Sequence, residues 1–142
     1  MIRNERQYRI TKAQADKFEK ALHEPAAQAD SREIHPLLAK ATKDALQSQY
    51  DELREQIEEY EALTSGRRKD LEVDSFDELP EILIQTRIAM GLTQKALAER
   101  LGLKEQQVQR YEATEYRSAS LSRLTEIVKA LDVKVRVSVS RE

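Results

Sequence analysis

Between positions 94 and 123 the chain carries side chains suited to recognising planar edges by hydrogen bonding rather than to breaking bonds. Gln94, Gln106 and Gln109 each set a donor beside an acceptor, the pair that an adenine edge complements, and Arg110 offers a fork that fits guanine O6 and N7. Glu105 can accept from a cytosine amine, but a carboxylate in the first turn of a helix also favours the dipole, and both uses stay open. Lys95, Lys104, Arg117 and Arg123, with the hydroxyls of Ser118 and Ser120, flank these groups as candidate phosphate partners.

Other chemistry finds little material. The 142 residues include no cysteine, which removes thiolate metal sites, cysteine nucleophiles and disulfide scaffolds together. His23 and His35 are the only histidines, they sit in no H-E-x-x-H or comparable ligand spacing, and no metal or other cofactor is expected. No G-x-S-x-G, P-loop or dinucleotide fingerprint occurs, and three glycines supply little for phosphate-cradling loops, so no enzyme is expected. With 24 basic and 26 acidic residues the net charge is -2, and any polyanion must be met by local clustering rather than a global positive field. No apolar run approaches the roughly 20 residues that span a bilayer, and no signal-like stretch follows Met1, so a soluble, cytoplasmic protein without a membrane partner is expected.

The composition, 35% charged and 5% aromatic, favours long solvated helices. Thr11-Lys12-Ala13-Gln14 has capping-box spacing and predicts a first helix over about 11–24, with Ala15, Phe18, Ala21 and Leu22 on one face. Pro25 and Asp30-Ser31 mark a break, and Pro36 suits the first turn of a second helix. On that helix Leu46, Tyr50, Leu53, Ile57 and Tyr60 recur at spacings of four and three, a narrow coiled-coil-like seam ending near Leu63. The first helix could fold back on the seam, but its apolar stripe is about half as long, which leaves seam for a second copy or another protein. Glu52, Glu55, Glu58, Glu59 and Glu61 make the outer face acidic, and Thr64 to Lys69 reads as a linker. The expected division is a helical extension over 1–70 and a second domain over 71–142.

Ser75-Phe76-Asp77-Glu78 offers a capping box for a helix with Leu79, Leu83, Ile84 and Ile88 inward and Gly91 as its stop. Short helices follow near 93–101, 104–112 and 120–131, and Val133, Val135, Val137 and Val139 alternate with polar residues as in a half-buried strand. Residues 94–112 have the packing pattern of two helices crossing steeply through a short turn, with Ala98 small at the contact, Gly102 free to take a positive φ, and Leu97, Leu101, Val108 and Tyr111 in a shared core.

The stretch Arg87-Ile-Ala-Met-Gly-Leu-Thr-Gln-Lys-Ala-Leu-Ala-Glu-Arg-Leu-Gly resembles the helix-turn-helix of phage-repressor-like (XRE/Cro) regulators, and the likeness extends over 76 to about 132. It implies base reading by Gln94 at the start of the second helix and by Glu105, Gln106 and Arg110 near the start of the third. It also implies a buried ion pair between Arg87 and Glu112. Lys104 stands where a hydroxyl cap is common, and Ala113-Thr114 where an Asn-Gly-like turn is usual.

The expected fold is therefore mainly α: a helical hairpin or coiled-coil extension, then a repressor-like helix-turn-helix domain with a short C-terminal β-strand. The long helix and the valine-rich end also resemble small antitoxins of the HigA type. The expectation is a dimeric, sequence-specific transcriptional repressor of double-stranded operator DNA, the autoregulating antitoxin of a toxin partner. The alternatives are an interaction module that neutralises a partner through its N-terminal helices, and a stand-alone phage or stress regulator.

Overall fold

The computed structural model describes residues 1–23, 36–67 and 70–141. The expected break at Pro25 and Asp30-Ser31, His35, and the Arg68-Lys69 part of the charge run lie outside the described residues.

The first helix, α1 (Glu5–His23), begins earlier than Thr11. Asn4 opens it: the Gln7 backbone N–H donates to Asn4 Oδ1 at 2.8 Å, while the Arg3 N–H donates to the Gln7 side chain at 2.9 Å. One orphan donor of the first turn, the Gln7 N–H, is thus satisfied ahead of the Thr11 box, which falls inside the helix, and the Gln7 side chain ties down the backbone just before the cap. The second helix, α2 (Pro36–Thr64), has proline in its first position, where a missing N–H costs nothing, and stops before Gly66 at φ +74°.

These two helices form one compact unit, Met1–Ala62. Ile2, Ala15 and Ile57 are buried together, with Tyr8, Tyr50, Leu53 and Tyr60 packed around them. The Tyr8 ring stacks on Tyr60 at 4.8 Å and its hydroxyl donates to Glu61 Oε1 at 2.5 Å. Because α1 gains about two turns over the expected span, its apolar face runs along the seam further than its sequence stripe suggests. Ile57 is fully enclosed, while Leu46, Tyr50, Leu53 and Tyr60 are half-buried.

The second unit, Leu63–Glu142, holds four α-helices. A 3₁₀ turn, Phe76–Glu78, leads directly into α3 (Leu79–Ala89). Ser75 Oγ accepts from the Asp77 N–H and the Ser75 N–H donates to Glu78, so the capping box closes over this turn. Helices α4 (Gln94–Leu101), α5 (Glu105–Ala113) and α6 (Leu121–Leu131) follow. Thr93 and Ser120 cap α4 and α6 through bonds of 3.0 and 3.1 Å from Ala96 and Arg123 N–H. Leu83, Ile84, Ile88, Leu97, Ala98, Val108, Ile127 and Leu131 are the buried apolar side chains from the four helices.

Gly102 ends α4 at φ +68°, and the Leu103 N–H reaches back to the Ala98 carbonyl at 2.8 Å. A Cβ at this glycine would meet nothing within 4 Å, so bulk is tolerated and only the left-handed backbone is not. Gly102→Ala is expected to cost about 1 to 2 kcal/mol, and a larger Gly102→Val loss in chemical denaturation would reveal a steric demand absent from this geometry.

The expected C-terminal strand is not formed. Among the described residues no strand occurs, and Val133 to Arg141 have no regular structure. Alternation prepares a segment for a sheet, but a strand exists only against a neighbour that completes its ladder. No helix of the described residues is long and apolar enough to cross a membrane.

Candidate nucleic-acid interface

Three helices of the second unit meet at one buried carboxylate. Glu112 on α5 is fully buried, and both its oxygens receive the Arg87 guanidinium of α3, from Nε at 2.8 Å and Nη2 at 2.7 Å. Arg87 Nη1 also donates to the Leu92 carbonyl at 2.8 Å, just beyond α3. Gln94, the first residue of α4, donates its amide to Glu112 Oε1 at 3.2 Å. A bidentate charge pair satisfied in this way fixes angle as well as distance, so the clamp sets how α5 sits on α3 and α4.

This arrangement relocates Gln94. The base-reading expectation needs an exposed amide, whereas the structure leaves it 6% exposed and bonded to Glu112. As placed, it supports α5 from behind.

The other reading candidates lie on the outside of α5. Glu105, Gln106, Gln109 and Arg110 are all exposed, while Val108 and Glu112, four apart, form the buried stripe of the same helix. Helix α5 therefore presents amides, a carboxylate and a guanidinium to solvent from a backbone anchored on its opposite side. At its start the Lys104 N–H donates to the Gln107 side chain at 2.9 Å, the reciprocal half of a capping box, so a missing hydroxyl at 104 does not prevent the helix.

Lys95 at the start of α4, Lys104 before α5, and Arg117 and Ser118 after it are exposed. Ser120 is exposed too, with its hydroxyl occupied as the α6 cap. Arg123 is the exception among the cations. It is half-buried, pairs with Glu126 at 2.7 Å and lies 5.9 Å from the Tyr111 ring centre, so its guanidinium serves packing as placed.

The turn after α5 lies in the polar stretch from Thr114 to Ser118, yet it holds a buried side chain. Glu115 and Tyr116 both have positive φ, +52° and +57°, which costs L-residues with a Cβ of order 1 kcal/mol each. Tyr116 offsets that cost: it is 4% exposed, stacks on Tyr111 at 5.8 Å, and donates its N–H to the Tyr111 carbonyl at 2.7 Å. A tyrosine inside an otherwise polar run was the available signal. Burial, and then the nearby Glu112 carboxylate, push the Tyr116 phenol above its usual range, with Arg87 pulling partly back.

Raising the folded-state value means that the unfolded chain loses this proton first, so the stabilisation is intact below about pH 10 and falls above it. Thermal melts between pH 8 and 11 are expected to show an alkaline loss that Tyr116→Phe lessens. Identical pH profiles for the two proteins would show that the phenol is not held in its neutral form by the fold.

Among the described residues no group of His, Asp and Glu is placed to hold a metal ion. Comparison with protein-family models matches residues 83–137, from within α3 through α6 to Val137, to the family described as helix-turn-helix. Comparisons with curated proteins and with solved structures find no match.

Proposed function

With a helix-turn-helix domain of the XRE/Cro type at residues 83–137 as its premise, we propose that this protein is a sequence-specific transcriptional repressor that binds a pseudopalindromic operator as a dimer. The observation that carries this reading is the outward row of Glu105, Gln106, Gln109 and Arg110 on α5, backed by the buried Arg87–Glu112 clamp. Such a helix fits the major groove, where amide and guanidinium groups read adenine and guanine edges. Lys95, Lys104, Arg117 and Ser118, all exposed, supply phosphate contacts that position the helix without carrying sequence.

The test is a gel shift of the full chain on its own promoter and on random DNA over a salt series. Promoter binding is expected to exceed random binding by about a thousandfold or more, with log affinity falling linearly against log salt. Equal affinity for both fragments, or none for either, overturns the reading.

The finer role we propose is that of an autoregulating antitoxin, with the toxin held by the N-terminal helices. It is supported by the separation of a helical unit, Met1–Ala62, from the unit that carries the reader, and by Leu37 and Leu38, 72% and 59% exposed on α2. Co-expression with the product of a small adjacent reading frame tests this role. Growth arrest relieved by the full chain supports it, and arrest that the chain leaves untouched removes it in favour of a stand-alone regulator.

A further inference from the structure

Residues 114–120 join α5 to α6, and among them only Tyr116 is buried. Its backbone is held on both sides: the Tyr116 N–H donates to the Tyr111 carbonyl at 2.7 Å, and the Tyr116 carbonyl accepts from the Ala119 N–H at 3.0 Å. The second bond has the i to i+3 pattern of a β-turn whose two central residues are Arg117 and Ser118, both exposed. The segment that follows the outward row of α5 thus carries a cation and a hydroxyl into solvent on a frame that Tyr116 closes.

We infer that Tyr116 is a positioning residue for DNA binding: its buried ring, stacked on Tyr111, fixes the turn that presents Arg117 and Ser118 to the phosphates flanking α5. The inference rests on the repressor reading and adds to it a residue that itself touches no DNA. Three observations carry it. Glu115 and Tyr116 hold positive φ in succession, a conformation that residues with a Cβ keep only where the surroundings impose it. The Tyr116 ring is buried, and its phenol feels the Glu112 carboxylate and the Arg87 guanidinium, which places it beside the clamp. The Tyr111 ring is shared: Tyr116 stacks on it at 5.8 Å, and the Arg123 guanidinium of α6 lies 5.9 Å from its centre.

Those contacts tie the turn to α5 on one side and to α6 on the other. They also divide the work between two cations. Arg123 is engaged with Tyr111 and Glu126, whereas Arg117, among the described residues, pairs with no carboxylate and stands at the tip of the turn. A phosphate contact made from a loose loop would first have to order that loop, at a cost in conformational entropy. A turn already ordered by a buried ring avoids that cost on binding.

The experiment uses the full chain and pairs a measurement that reads no DNA with one that does. Trypsin cuts after arginine, so cleavage after Arg117 reports how often the turn opens. Tyr116→Gly removes the ring while favouring the positive φ, and is expected to speed that cleavage about tenfold or more, with Tyr116→Phe cut as slowly as the unaltered chain. On promoter DNA, Arg117→Ala is expected to lower the slope of log affinity against log salt by about one. Tyr116→Gly is expected to lower it to the same degree with base preference kept, and Arg117→Ala added to Tyr116→Gly to lower it no further. A role confined to stability would leave the slope unchanged, since the slope counts phosphate contacts and not the folded fraction. Should the far-UV helix signal of Tyr116→Gly fall, Tyr111→Leu, which takes away the stacked ring, carries both readings. Additive slope losses, unchanged cleavage, or a Tyr116→Phe that behaves as Tyr116→Gly each overturns the inference. No promoter binding by the unaltered chain removes the repressor reading and the anchor with it, whereas binding with additive losses removes the anchor alone.

Discussion

Arg87→Met is expected to destabilise the second unit by about 3 to 5 kcal/mol, because it leaves the Glu112 carboxylate buried without its counter-charge. Glu112 is fully buried and would retain only the Gln94 amide at 3.2 Å, while the Leu92 carbonyl would also lose its donor. The double variant Arg87→Met/Glu112→Leu is expected to recover much of that loss, since apolar groups of similar volume remove the desolvation cost together with the attraction. Chemical denaturation of the two single variants and the double variant decides the matter. Equal, additive losses would mean that the two charges act independently, contrary to a bidentate pair with bonds of 2.7 and 2.8 Å.

Arg110→Ala should weaken operator binding by about 1 to 3 kcal/mol and relax preference at one base pair, because a bidentate contact to guanine carries sequence information. Arg110 is exposed on α5, so truncation leaves the fold intact and the loss can be assigned to recognition. Lys95→Ala should behave differently. An exposed cation at the start of α4 that meets phosphate weakens specific and random DNA alike, and its removal lowers the slope of log affinity against log salt by about one. An unchanged base preference in Arg110→Ala would show that α5 is not the reading helix. A Lys95→Ala effect confined to one sequence would show that this lysine contacts bases.

The two effects are linked through the clamp. Gln94 occupies a position that sequence reasoning assigned to base reading, yet its amide is spent on Glu112. It holds the first turn of α4 against α5. A substitution there would therefore disturb the placement of the whole outward row of α5 rather than one base preference.

Much of the helical layout could be read from local signals. Thr93 and Ser120 cap their helices with hydroxyls, and Gly91 and Gly102 take the positive φ that ends α3 and α4. Each depends on atoms within a few residues, and a linear pattern records such interactions in full. The apolar period of α5 worked for the same reason, with Val108 buried and Gln106, Gln109 and Arg110 outside.

The start of the first helix followed distant packing rather than the spacing at Thr11 and Gln14: Asn4 opens it instead, in a unit where Tyr8 stacks on Tyr60 and Ile2 is buried with Ile57. Those contacts join residues about fifty positions apart, which no local spacing can report. Tyr116 is a similar case: its left-handed backbone is held by burial and by the Tyr111 ring, both products of packing.

The sequence by itself determined the helix ends of the second unit and the outward row on α5, because caps and helical period are properties of short spacings, while the pairing of Arg87 with Glu112 was legible only as what the resemblance to repressor-like regulators implies. Only the tertiary structure decided that Gln94 faces inward, that α1 extends along the α2 seam, and that the valine stretch stays without a ladder in the single chain. The reason is common to all three: a side chain's partner, or a strand's neighbour, is a matter of which distant atoms arrive beside it, and that depends on how the helices pack.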